Sequence, residues 1–455
     1  MILSRNFFRQ SIREPDSLAR LMVMMSVLCA PARAEDLLSI YQLAVENDPR
    51  FRAAEANYKA AQEKLPQARA NLLPSLSATA ARNKNNEEVV TDTTIFSRPA
   101  GEARYRSSEY KLSLTQPIYN GVYWANLRQA SAEIRRSEAE YQAARQDLIL
   151  RVAQGYLDVL LAQDALSLAH AEKDALARNL ESVEGRRKAG LANITEANDA
   201  RARYQIAVAQ EIEAANKLDD TREALREIAG RLPGTLSGLT DGATVVIPDP
   251  PDINRWVESA SSQNATLRAA KEAVDAAREA IERNRAAHYP TLDAVGNRSR
   301  VDADGSIPGP GVRSDDTVIG LQLTVPLFQG GLVNSRVEEA AQRYNAARQE
   351  LEGQRRAVER AARAAFQGVT SGAARIDALK QAVAAAESAL TAKTEGRAAG
   401  LYTTLDILDA TRDLYRAKRD YAEARHLYLL NFLKLKNAAG LLTEDDVLAV
   451  NSRLN

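Results

Sequence analysis

After Gly121 the sequence holds a helical pattern for about 70 residues, broken by nothing stronger than single glycines, and after Gly330 it does so again. In the first run Val152, Tyr156, Val159, Leu166, Ala169, Leu176, Leu180 and Val183 recur at helical spacing, with misses at Gln163 and Lys173. In the second run Val358, Ala362, Phe366, Val369, Ala373, Ile376, Leu379, Val383, Ala386 and Leu390 do the same. A helix of that length rises on the order of 100 Å, because each residue adds about 1.5 Å. No compact domain has room for it, whereas a rod or a long tube does. Aromatics at 5% and recurrent alanine runs such as AAEANYKAAQ and AVAAAESAL also suit long helices packed closely side by side.

The two runs belong to a duplicated unit. YQAARQDL (141–148) returns as YNAARQEL (344–351), AGLANITEANDA (189–200) as AGLYTTLDILDA (399–410), and LLPSLSA (72–78) as HYPTLDA (288–294). The offsets drift by only a few residues, and the proline-rich IPDPPD (247–252) marks the join. The first repeat is read as 35–246, a linker as 247–251 and the second repeat as 252–455. Each repeat reads helix, strand pair, long helix, turn, helix. The strands are expected near 73–82 and 109–118, then 289–300 and 316–327, with helix-to-helix turns at Gly190 and Gly400. The polar stretches Asn83 to Arg106 and Val301 to Asp315 are expected as loops between paired strands.

The strands alternate. In DTVIGLQLTVP (316–326) Ile319, Leu321, Leu323 and Val325 share one face, against Gly320, Gln322 and Thr324; Tyr110, Leu112 and Leu114 likewise oppose Lys111, Ser113 and Thr115. This is how a membrane barrel strand is written, with lipid on one side and water on the other, although an ordinary half-buried strand alternates equally well. Four strands cannot close a barrel, and an open edge in lipid leaves backbone groups unsatisfied at several kcal/mol each, so copies of the chain would have to share one barrel. Two chains would give eight strands, filled by side chains; three would give twelve and a water-filled lumen, which a conduit prefers. Both strand pairs end alike, in SLTQPIYNGV (113–122) and QLTVPLFQGG (322–331). Pro117 and Pro326 are expected to end the ladder, and Gly121 and Gly330 to let the chain bend from strand into helix.

The first 34 residues read as a secretory signal: arginines at 5, 9, 13 and 20, the short apolar LMVMMSVLCA, and Ala32-Arg33-Ala34 as a cleavage site. The only cysteine, Cys29, lies inside it behind Leu28, which does not suit lipid attachment. The remainder would hold 55 basic and 58 acidic residues, too balanced to attract nucleic acid. No later stretch offers the roughly 18 apolar residues of a transmembrane helix, so an exported chain entering a membrane would do so by strands.

With both joints, the AGLANITEANDARARY turn and AGLYTTLDILDATRDLYRAKRDYAEARHLYLLNFLKLKNAAGLL (399–442) in view, the sequence resembles the TolC family of outer-membrane efflux proteins over nearly the whole chain. The resemblance implies a mainly α fold with a membrane β-barrel. A long antiparallel coiled-coil tunnel would cross the periplasm, and four strands per chain would enter a shared twelve-stranded barrel in a homotrimer within outer-membrane lipid. It implies the exit duct of an export system, with a periplasmic adaptor (membrane fusion) protein and an inner-membrane ABC or RND transporter as partners. Type I protein secretion is the preferred cargo class and small-molecule or drug efflux the alternative. The turns with Gly190, Leu191, Gly400 and Leu401 match the adaptor-facing entrance, and Asp406, Asp409 and Glu196 its acidic residues. Thr195, Arg397 and Tyr402 fall where the family closes that entrance. Arg397 stands where a tyrosine is common and Tyr402 where an arginine is common, so any inherited closing network is altered, and a contact within the swapped pair would restore a similar one.

The bland reading of the acids is local. Asn193 to Glu196 and Thr403 to Asp406 both have capping-box spacing. Three scattered histidines, His170, His288 and His426, and the absence of a phosphate-binding glycine motif give no catalytic, metal or cofactor site. The competing class is a periplasmic coiled-coil scaffold without a pore, which would stay soluble without detergent.

Overall fold

The computed structural model describes residues 35–89, 101–239, 248–306, 309–452 and 454. The expected leader, residues 1–34 with its cleavage site and Cys29, lies outside the described residues, as does Ile247 of the linker. Helices α1 (Leu37–Asn47), α2 (Pro49–Gln62) and α3 (Lys64–Ala70) lead into strands β1 (Ser75–Val89) and β2 (Gly101–Tyr119), then α4 (Gly121–Lys188) and α5 (Ile194–Ala229). The second repeat runs α6 (Ile253–Gln263), α7 (Ala265–Arg285), a short 3-10 turn, β3 (Thr291–Ser306), β4 (Gly309–Thr324), α8 (Leu332–Ala398), α9 (Thr404–Ala438) and α10 (Glu444–Asn451). The long helices α4 and α8 have 68 and 67 residues, close to the length that their periodicity predicts.

Helical pattern alone did not reveal where the entry helices break. Asp48 ends α1, and its carboxylate accepts from the Phe51 N–H at 2.7 Å to start α2 at Pro49. That carboxylate also takes Arg151 of α4 at 2.7 and 3.1 Å, which holds it below the usual carboxylate range against the opposing effect of burial. The main core sits here, where α1 and α10 pack on the middle of α4 through Leu37, Ile40, Leu148, Val152 and Tyr156. Tyr156 donates to the Ser237 carbonyl at 2.8 Å, tying the chain after α5 into the same layer.

The sheet is a four-stranded antiparallel meander, β1-β2-β3-β4, with β1 and β4 as its edges. The strands are longer than expected. Residues 83–89, 101–106, 301–306 and 309–315, expected as loop, continue the ladder. Polar cross-strand pairs explain this: Asn85 donates to the Ser107 hydroxyl at 2.9 Å, and Arg313 bonds Asp302 at 2.8 Å. The register confirms the two faces. Leu76 lies opposite Leu114, Leu114 opposite Gly296, and Gly296 opposite Ile319, while Ser77 meets Ser113 and Ser113 meets Asn297. The apolar face is bare in a single chain, with Ile319 at 87% and Leu321 at 69% exposure.

The first joint corrects two expectations. Pro117 does not end the ladder: it faces Asp293 within β2, and a register shift between Pro117 and Tyr119 absorbs its missing N–H. Gly121 does not adopt a left-handed conformation; instead, a Cβ there would stand 3.3 Å from Ala286 Cβ and from the Tyr289 ring. The bend is made by Asn120, whose side chain accepts from the Val122 and Tyr123 N–H groups. At the second joint the ladder stops at Thr324, two residues before the proline. Pro326 stands beyond the end of β4, and Gly330 and Gly331 turn the chain at φ +60° and +83°.

Candidate functional site

All four strand ends nearest β1's start and β4's end lead into helices, so the turns after α4 and α8 lie at the far tip of the molecule. Both turns use the same backbone device. Gly190 (φ +76°) and Gly400 (φ +75°) take the left-handed conformation. Leu191 N–H returns to the Arg186 carbonyl at 2.8 Å, and Leu401 N–H to the Gly396 carbonyl at 3.0 Å. Leu191 and Leu401 follow the glycines as apolar side chains, both well exposed.

The acids behave differently on these equal frames. Thr403 accepts from the Asp406 N–H at 3.2 Å while Asp406 accepts from the Thr403 N–H at 2.8 Å and from its hydroxyl at 2.6 Å, a complete capping box. These bonds hold the Asp406 carboxyl below its ordinary range. Asn193 caps the Glu196 N–H at 2.8 Å, but the Glu196 carboxylate leaves its own turn and accepts from the Thr404 hydroxyl at 3.0 Å. Asp409 is bridged by Arg203 of α5 at 2.8 Å. Glu196 and Asp409 therefore clasp the two coils to each other, and Asp406 caps α9. Leu176, Val183, Ala197 and Leu408 form a small apolar cluster beneath them.

Arg397 and Tyr402 come close in the chain, but among the described residues no hydrogen bond or cation–π contact joins them. The Tyr402 ring lies on Gly396 instead, where a Cβ would be 2.8 Å from Cδ2. Burial, with Arg186 beside it, disfavours the Arg397 cation, and Glu196 opposes both. Among the described residues the buried Arg397 Nη2 atom has no hydrogen-bond partner. Thr195 is exposed. Sequence reasoning passed over Arg203, Thr404 and Gly396. The first two are signalled only by residues in the other repeat, but the glycine at the position equivalent to Arg186 was visible in the 210-residue repeat.

The histidines lie apart, His170 on Glu211, His288 on Asn334 and His426 on Asp164. A groove of about 990 Å³ opens near the sheet between α2, α4, α7 and α8, with Lys64, Glu133, Arg136 and Arg283 around a floor of alanines. It is remote from the tip, and its charges are mixed.

Residues 40–231 and 256–441 match the family model described as outer membrane efflux protein. The chain is 34% identical to outer membrane protein TolC of Escherichia coli K12, over 93% of this chain and 86% of that protein. It is 33% identical to the proteases secretion protein PrtF of Dickeya chrysanthemi, over 94% of this chain and 93% of that protein. Among solved structures, the Campylobacter jejuni CmeC outer membrane channel superposes with a TM-score of 0.79 at 17% identity, covering 92% of this chain and 90% of that one.

Proposed function

The chain belongs to the outer membrane efflux protein family, and from that premise we propose that three copies close a twelve-stranded barrel above a helical tunnel, forming the exit duct of a tripartite export system. It is an outer-membrane transport protein. The observation that carries the trimer is the sheet itself: β1 and β4 are unpaired edges, one face is apolar and bare, and lipid tolerates neither an open edge nor fewer strands than close a ring. Twelve strands leave an aqueous lumen, and helices on the order of 100 Å long carry it across the periplasm.

The tip is the entrance. Threefold symmetry would bring Asp406 and Asp409 into rings that favour cations, with Leu191 and Leu401 offered to a periplasmic adaptor. Arg397 is offered to a closure contact between copies, because within one chain burial and Arg186 disfavour its cation and an acid from a neighbouring copy would oppose both. The preferred cargo is a secreted protein, handed over by an inner-membrane ABC transporter, since a relative of nearly equal length is named for protease secretion. Small-molecule efflux, with an RND pump, is the second reading and is favoured by the family's own description.

The test is disulfide trapping between edges. Cys29 is the chain's only cysteine and falls in the expected leader, so Ser77→Cys on β1 and Gln322→Cys on β4 introduce the only reactive pair. Oxidation of membranes is expected to yield covalent dimers and trimers in denaturing gels, abolished by either single variant. Monomers alone would overturn the shared barrel.

A further inference from the structure

The apolar face of the sheet changes character toward the hairpin ends. Tyr110, Leu112, Leu114 and Ile118 on β2 span about 26 Å along the strand, at some 3.3 Å per residue. Moving away from the helices on that same face, Leu112 lies opposite Arg298, Tyr110 opposite Arg300, Ser108 opposite Arg82, and Arg106 opposite Lys84. Arg313 joins them opposite Asp302. Four successive rows thus hold six cations and two acids, Asp302 and Asp315, with Asp304 outside the paired register beside Arg106.

The three acids are engaged. Asp302 takes Arg313 at 2.8 Å, Asp315 lies 4.0 Å from Arg300, and Asp304 accepts from the Arg106 backbone N–H at 2.6 Å. Arg82, Lys84, Arg106 and Arg298 are exposed and have no ion pair among the described residues. The opposite face over the same span carries one cation, Lys111, with Glu109 and Asp316. The helix side of the apolar band offers Leu292, Leu323, Val325 and Ile118 and no cation. The excess lies on the lipid-side face in these four rows, and beyond them the β1–β2 hairpin adds Arg104 with Glu88 and Glu102.

We propose that this rim binds the phosphate groups of anionic lipids in the outer leaflet, with Arg82, Lys84, Arg106 and Arg298 as the phosphate-binding side chains. The proposal rests on the barrel reading, which makes the apolar face lipid-facing and the hairpin ends extracellular. Guanidinium groups suit phosphate through paired N–H donors, and their stems lie along the apolar rows while the charge reaches the headgroups. In a trimer the rim repeats three times around the barrel and anchors its height in the membrane.

The protein purified in mild detergent would be incubated with a diphosphorylated glucosamine lipid or with the same lipid after dephosphorylation, and retained lipid counted by native mass spectrometry. Retention of the phosphorylated form is expected to exceed the other by about tenfold or more, since each basic residue near an anionic surface adds appreciably. The fourfold variant Arg82→Gln, Lys84→Gln, Arg106→Gln, Arg298→Gln is expected to lose that preference, and millimolar inorganic phosphate to leave it intact. Equal retention of the two lipids by the unaltered protein overturns the proposal whatever the variant does, as does displacement by free phosphate. Ion conductance of the same preparation separates the causes: a conducting trimer without lipid preference removes this inference alone, and a preparation with no conducting trimer removes the barrel reading as well.

Discussion

The two helical turns at the tip share a backbone and differ in what they hold. Positions 210 apart adopt the same left-handed glycine and the same return bond from the following leucine. Yet the first repeat has Arg186 and Ala192 where the second has Gly396 and Tyr402. In the first, Arg186 donates to the Leu191 carbonyl at 3.1 Å over the space that alanine leaves; in the second, the tyrosine ring fills the space that glycine leaves. The acids diverge in the same way. Aspartate is one methylene shorter and folds back on its own cap, whereas glutamate reaches the other coil. Duplication therefore supplied the frame, and at the matched positions 196 and 406 side-chain length turned the glutamate to clasping and the aspartate to capping, while Asp409 joins the clasp through Arg203.

Breaking the second tip should cost most. Asp406→Ala with Asp409→Ala is expected to carry the cation preference in planar-bilayer recordings most of the way to unity, while Glu196→Ala leaves most of it; equal losses would erase the distinction between the repeats. Next comes Gly396→Ala, whose new methyl meets the Tyr402 ring and should lower local stability by about 1–3 kcal/mol, read by hydrogen exchange in the last turn of α8. Gly185, near the equivalent end of α4, has open space around its Cβ position, so Gly185→Ala should be neutral or stabilising by up to about 1 kcal/mol. Removing the cap by Thr403→Ala should cost about 1 kcal/mol in the first turn of α9. The smallest effect concerns pH. The folded Asp406 carboxyl titrates below its ordinary 3.8, so its contribution is complete above that value and lost as pH falls through the lower folded one. Exchange in the first turn of α9 should therefore accelerate only in strong acid, and Asp406→Asn should abolish that dependence.

Much of this architecture was legible because it repeats. Helix length followed from periodicity, and strand faces from alternation. The strand ends were not legible: polar residues such as Asn85 and Arg313 look like loop until a cross-strand partner turns them into ladder. Pro117 misled for a related reason, since a bulge lets a strand continue past a missing donor. At the tip, the caps could be read from spacing within one turn. The Glu196–Thr404 and Arg203–Asp409 contacts could not, because each joins residues more than 200 positions apart.

The account depends on a half-built sheet becoming a pore only in company. Its most direct test is the mass of the detergent-purified assembly, determined together with its single-channel current. Three copies and a steady ionic current are predicted. A single copy that passes no current would contradict the account.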